Sequence, residues 1–185
     1  MPMTLTLPPA DPLPERIAKY FGVCEETLGF VPNVLKAHAF APEKLDAFTA
    51  MYDEIMLRDS GLTKLEREMM AVVVSARNRC FYCLVAHGAA VRALSGNPAL
   101  GEMLAFNWRV APLEPRDRAL LAFAEKVTDE SYRVDDLDRE ALGAVGLSDR
   151  DIWDAASVAA FFNMTNRLAS AVGMRPNAEY HAQAR

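Results

Sequence analysis

The stretch Thr63–Leu94, TKLEREMMAVVVSARNRCFYCLVAHGAAVRAL, decides the fold. Its one strand-like feature is the run Ala71-Val72-Val73-Val74, since β-branched residues favour strands. The flanks overrule it. Thr63 and Glu66 have the spacing of a capping box, which opens a helix. Leu65, Met69, Val72, Val73 and Ala76 then recur at helical intervals. Asn78, between Arg77 and Arg79, is where this helix is expected to stop. A second helix is expected from Cys80 past His87 to about Leu94, closed by the turn Ser95-Gly96-Asn97-Pro98.

The same texture extends in both directions. Upstream, Leu45, Phe48, Met51, Tyr52, Ile55 and Met56 mark one face of a helix over Pro42–Leu57. Before it, Glu15–Phe21 reads as a short helix, Cys24–Leu28 as a separate turn and Asn33–Phe40 as another helical piece. Downstream, helices are expected over Leu100–Asn107, Arg116–Thr128, Asp135–Val145 and Asp149–Val172, the last closed by Gly173 and Pro176. The fold class is all-α. Pro2, Pro8, Pro9 and Pro12 make residues 1–13 an extended arm, residues 14–176 one helical domain and residues 177–185 a frayed tail containing His181. One weak echo joins the halves: Thr63 and Ser148 open similar helices, and Asn78 and Asn163 fall at the same offset from them.

Composition narrows the function. The 185 residues are 51% hydrophobic and 24% charged, which suits a packed core rather than disorder. Lysine and arginine number 20 against 25 acids, a net charge of −5. That balance argues against nucleic-acid binding, which needs a basic surface, and supplies no polybasic membrane patch. No uncharged stretch is long enough to span a bilayer. Three cysteines, two of them close together, do not form a secreted disulfide framework. Met1–Glu15 lacks the basic and apolar regions of a secretory signal, so a cytoplasmic protein is expected.

The chemistry concentrates in Glu68–His87. Cys80 and Cys83 are neighbours on one helical face, as are Cys83 and His87. A cysteine at a helix start lies near unpaired N–H groups, which favour the reactive thiolate. Glu68 stands fifteen residues before Cys83, about 22 Å along an unbroken helix. Only a bend at Asn78 brings it back to His87, and spacing alone does not choose Glu68 over Glu66. Three readings share the segment: a redox-active thiol pair with an adjacent base, a zinc site with three of the four ligands it needs, and two buried structural cysteines. The redox reading leads. Elsewhere the plain readings hold. Ser75 is a helix-packing serine, Cys24 a small core residue, and His38, among Ala37, Ala39 and Phe40, a satisfied structural histidine. Trp153, Phe161 and Phe162 read as core or subunit interface.

Glu68, Ser75, Cys80, Tyr82, Cys83 and His87 form the pattern E-x6-S-x4-C-x-Y-C-x3-H, which resembles the alkylhydroperoxidase D core of the carboxymuconolactone decarboxylase-like superfamily. Gly29-Phe30-Val31-Pro32-Asn33, Phe161-Phe162-Asn163 and Asn166-Arg167 fit its peroxidase-related branch. The resemblance implies a helical bundle with the CxxC at the start of a central helix, assembled as a homo-oligomer (dimer, trimer or hexamer). It also implies that organic hydroperoxides are reduced as Cys80 and Cys83 become a disulfide, with Glu68 and His87 managing the protons and Tyr82 and Ser75 supporting them. No cofactor is implied beyond the cysteine pair and an external dithiol reductant, lipoyl or thioredoxin-like. The best-studied members have a histidine where this chain has Tyr82, a poor base near neutral pH. Family analogy makes Cys83 the attacking sulfur, whereas helix-terminus reasoning favours Cys80. Two alternatives stand beside this one: a general dithiol–disulfide oxidoreductase, and a non-enzymatic metal-binding or structural assembly.

Overall fold

The computed structural model describes residues 1–185. Its helices are α1 (Glu15–Leu28), α2 (Asn33–His38), α3 (Pro42–Tyr52), α4 (Lys64–Arg77), α5 (Phe81–Ser95), α6 (Leu100–Asn107), α7 (Pro115–Glu130), α8 (Asp136–Ala144), α9 (Asp149–Ala171) and α10 (Glu179–Ala182). There is no strand. A π-helical turn, Asp53–Leu57, continues α3 to the expected end. No helix is long and apolar enough to cross a membrane.

The valine run is helical because α4 is the buried axis of the bundle. Val72, Val73 and Val74 are at most 1% exposed, and α5, α6, α7 and α9 all pack on α4. The middle of the helix, Met69–Val74, is buried on every side, and packing there outweighs the small propensity cost of β-branching. The expected capping box forms. Thr63 Oγ1 accepts from the Glu66 amide at 3.1 Å, and Glu66 Oε2 accepts from the Thr63 amide at 2.6 Å. Glu66 Oε1 also accepts from Arg116 Nε at 2.6 Å, which ties α7 to the cap. Thr63→Ala is expected to cost about 1 kcal/mol and to lower the thermal midpoint by about 2–4 °C in a calorimetric melt.

Two expectations change. Glu15–Leu28 is one helix, not two pieces. Gly22 interrupts nothing because Ile17 and Cys24, two turns apart on one face, are both buried and hold the helix across it. The last nine residues are not frayed either. Asn177 is 7% exposed; its Oδ1 accepts from the Asn33 amide at 2.7 Å, and its Nδ2 donates to Val31 O at 3.0 Å. Arg92 on α5 donates to Tyr180 O and Gln183 O, so α10 lies along the bundle. The arm is also tied down. The Thr4 amide donates to Val172 O and Gly173 O, both at 3.1 Å, and Met3 is buried. Gly173 permits this twice over: its φ is +63°, and a Cβ there would lie 2.3 Å from Thr4 Oγ1.

Candidate functional site

The break at Asn78 is the local event that makes the site. α4 stops at Arg77, Asn78 stays near helical geometry, and Arg79 takes a left-handed φ of +53°. The Cys80 amide then donates back to Ser75 O at 2.9 Å, and Cys80 becomes the extended residue that starts α5. The chain thus reverses and α5 runs back along α4. Ser75 comes beside Cys83, and Glu68 meets His87, with His87 Nδ1 donating to Glu68 Oε2 at 2.6 Å. The carboxylate about 22 Å away on a straight helix is brought into hydrogen-bond range by one turn. Glu66 is committed to the Thr63 cap and to Arg116, which settles the choice between the two glutamates.

The sulfurs are held unequally. All three cysteines are free and buried. The Cys80 thiol is lowered to about 6, chiefly by the hydrogen bond that the Cys83 thiol donates to it. The Cys83 amide and the Ser170 hydroxyl add to that, against the cost of burial. Cys83 is driven upward because it holds the proton of the pair and because it is buried; Asn166 and Ser75 act the other way. The reduced pair is one thiolate and one thiol sharing a proton, with the charge on the sulfur nearer the helix start. The ultraviolet thiolate absorbance of reduced protein is therefore expected to rise by one thiolate as pH increases through about 6, and to fall again below it. Cys80→Ser is expected to remove this step.

A polar floor lies beneath Cys83. Asn166, fully buried, donates from Nδ2 to Ser75 Oγ at 3.0 Å. Asn78 Nδ2 donates to Asn166 Oδ1 and to Asn163 Oδ1, both at 3.0 Å. Asn163 in turn donates to Thr128 Oγ1 and Ala159 O. Asn78 and Asn163, at equal offsets from their helix caps, are thus bonded to each other. In the sequence, only the echo of the two helix caps pairs Asn78 with Asn163. Ser75 is more than a packing residue, since its hydroxyl takes the Asn166 hydrogen bond beside Cys83.

Above the sulfurs is a cavity of about 290 Å³, lined mainly by hydrophobic side chains. Cys83, His87 and Glu68 form part of its wall, whereas Cys80 does not reach it. Phe161 and Phe162 also line it, and the Phe162 ring meets the His87 ring edge-on, 4.6 Å between centroids. Their sequence reading as core is incomplete, because half of a core residue's surroundings can be ligand space. Tyr82 accepts the Val34 amide at 3.1 Å through its hydroxyl, and burial raises its pKa far beyond use as a base. It anchors α2 to the CxxC turn. No three His, Cys, Asp or Glu side chains converge as a metal site.

Comparison with known proteins agrees with this picture. Residues 42–126 match the carboxymuconolactone decarboxylase family. The chain is 64% identical to an uncharacterized peroxidase-related protein from Silicibacter sp. TM1040, covering 100% of this chain and 96% of the other at a TM-score of 0.97. It is 42% identical to an uncharacterized peroxidase-related protein with an alkylhydroperoxidase AhpD core from Ralstonia eutropha JMP134, covering 100% and 97% at a TM-score of 0.96. The debrominase Bmp8 shares the fold at 22% identity and a TM-score of 0.79, with 98% of this chain and 96% of the other covered. No protein with a curated description matches. The chain belongs to the alkylhydroperoxidase D-like, peroxidase-related branch of the carboxymuconolactone decarboxylase superfamily.

Proposed function

We propose that this protein reduces organic hydroperoxides, with Cys83 attacking, Cys80 resolving, His87 moving the proton and Glu68 holding His87. One observation carries the reading: Cys83, His87 and Glu68 share the wall of a single apolar cavity, with the Cys80 thiolate directly behind them. A hydroperoxide in that cavity meets Cys83 first. The Cys83 S–H turns from the Cys80 sulfur to His87, which takes its proton as the sulfur attacks the terminal oxygen, and the O–O bond breaks. The alkoxide receives the proton back from His87 and leaves as an alcohol, while Cys83 becomes a sulfenic acid. Cys80, already a thiolate at neutral pH, attacks that sulfur and displaces hydroxide, which a proton from solvent converts to water. The peroxide gains two electrons and the cysteines become a disulfide. An external dithiol restores them by exchange and is itself left as a disulfide.

Burial favours this reading over general disulfide exchange with proteins. Cys80 and Cys83 are 1% and 4% exposed, so a folded protein's disulfide has no surface sulfur to meet. A small peroxide or a narrow lipoyl arm entering the cavity reaches Cys83. The test is a thiol count on fully reduced protein before and after a slight excess of cumene hydroperoxide, with peptide mapping. Three free thiols are expected to fall to one, with a Cys80–Cys83 bond formed within seconds and Cys24 left free. Three surviving thiols would remove the proposal.

A further inference from the structure

The cavity contains a second imidazole that the redox chemistry does not use. His38 ends α2, is 8% exposed and lines the same cavity as Cys83. Its Nδ1 bonds Val34 O at 2.8 Å, and a carbonyl accepts only from a protonated nitrogen, so the neutral ring carries its lone pair on Nε2. Nε2 has no partner in the protein and is not sealed from solvent, on a ring that lines the cavity. The structure satisfies half of this histidine and leaves the other half facing ligand space. A polar atom held this way in an apolar wall costs stability unless something binds it.

A series of aromatic contacts around the cavity wall links the two imidazoles. His38 stacks on Phe48 with centroids 4.6 Å apart. Phe48 then meets Phe161 at 5.8 Å, Phe161 meets Phe162 at 5.5 Å, and Phe162 meets His87 at 4.6 Å. All three phenylalanines line the cavity. Thr49, also on the wall, spends its hydroxyl proton on Leu45 O, so it donates to no ligand there. Tyr82 fixes the placement of this anchor by accepting the Val34 amide, in the residue whose carbonyl orients His38.

We propose that His38 is a specificity-determining residue whose Nε2 accepts a hydrogen bond from a hydroxyl group on the substrate. The substrate class is an apolar, ring-sized hydroperoxide bearing a hydroxyl on the end away from the peroxide. Its body lies along Phe48, Phe161 and Phe162, with the peroxide at Cys83 and the hydroxyl at His38. The peroxide end of this assignment rests on the proposed hydroperoxide chemistry; the hydroxyl end does not.

The test uses ligands without a peroxide bond, so it does not depend on cysteine oxidation. Calorimetric titration of reduced full-length protein compares 4-isopropylphenol with isopropylbenzene. The phenol is expected to bind about five- to tenfold more tightly, the value of one buried hydrogen bond, and His38→Phe to level the two. Equal affinities in the unsubstituted protein would overturn the proposal, as would a preference that survives in folded His38→Phe. Nitrogen NMR of His38 needs no variant. The Nε2 resonance is expected to move on adding the phenol and to stay in place with isopropylbenzene, and an Nε2 unmoved by the phenol would overturn the proposal. A phenol preference together with three surviving thiols in the peroxide test would reject the peroxidase reading and keep the anchor. The opposite pair of results would reject the anchor alone.

Discussion

Cys83→Ser is expected to abolish hydroperoxide consumption, by on the order of a thousandfold or more, while Cys80→Ser consumes one equivalent and stops. The asymmetry follows from position. Cys83 is the sulfur on the cavity wall, and Cys80 stands behind it at the start of α5. With Cys83 gone, the Cys80 thiolate has no line to a ligand. With Cys80 gone, Cys83 still has His87 and Glu68 beside it, so the O–O bond breaks once and a sulfenic acid accumulates with no sulfur to resolve it. Mass spectrometry after one equivalent of cumene hydroperoxide reads the result directly. Cys80→Ser protein is expected to gain one oxygen atom at Cys83, trappable by a 1,3-diketone, and Cys83→Ser protein to gain none. An oxygen found on Cys80 in the Cys83→Ser variant would reverse the assignment of the two sulfurs.

Glu68→Gln is expected to lower kcat/KM for hydroperoxide by on the order of a hundredfold, and His87→Phe by about a thousandfold, within the range of general acid–base catalysis. In the native pair Glu68 Oε2 accepts from His87 Nδ1 at 2.6 Å, which leaves the other ring nitrogen as the base. Glutamine keeps an oxygen of the same reach, so the ring stays in place and the fold should hold. What is lost is the negative charge that stabilises the imidazolium formed as Cys83 gives up its proton. Stopped-flow rates across pH, beside thermal melts of each variant, separate the two effects. A Glu68→Gln protein with an unchanged melt and an unchanged rate would remove Glu68 from the relay.

The sequence was most legible where local chemistry acts alone. Thr63 with Glu66 caps α4, and Ser148 caps α9 through the Asp151 amide, because a cap needs only residues three apart. The interruption at Asn78 was legible for the same reason, as was the span Leu100–Asn107. The reading failed where packing between distant elements decides. Glu15–Phe21 and Cys24–Leu28 read as separate pieces, but Ile17 and Cys24 bury one face of α1 and hold it whole. The tail reads as frayed, but Asn177 bonds the Val31–Asn33 segment, 144 residues earlier in sequence at its closest partner.

The candidate site divides along the same line. Cys83 and His87 lie one turn apart on α5 with Cys80 at its start, and all three declare themselves by spacing. Glu68 declares nothing by spacing, and its role follows only from the reversal at Arg79, which sets α4 beside α5. Phe161, Phe162 and His38 look like ordinary core, because a side chain that lines a cavity and one that fills a core share the same apolar pattern.

By itself, then, the sequence determined the helical class, the capped starts of α4 and α9, the break at Asn78 and the pairing of two thiols with a base. Each of these depends on residues within about two helical turns of one another, where backbone geometry leaves few arrangements. Only the tertiary structure decided which glutamate meets His87, which sulfur faces the cavity, and that the asparagines on α9 and after α4 lie under Cys83. Those outcomes depend on how whole helices pack, and close packing fixes them through many small contacts between residues far apart in the chain.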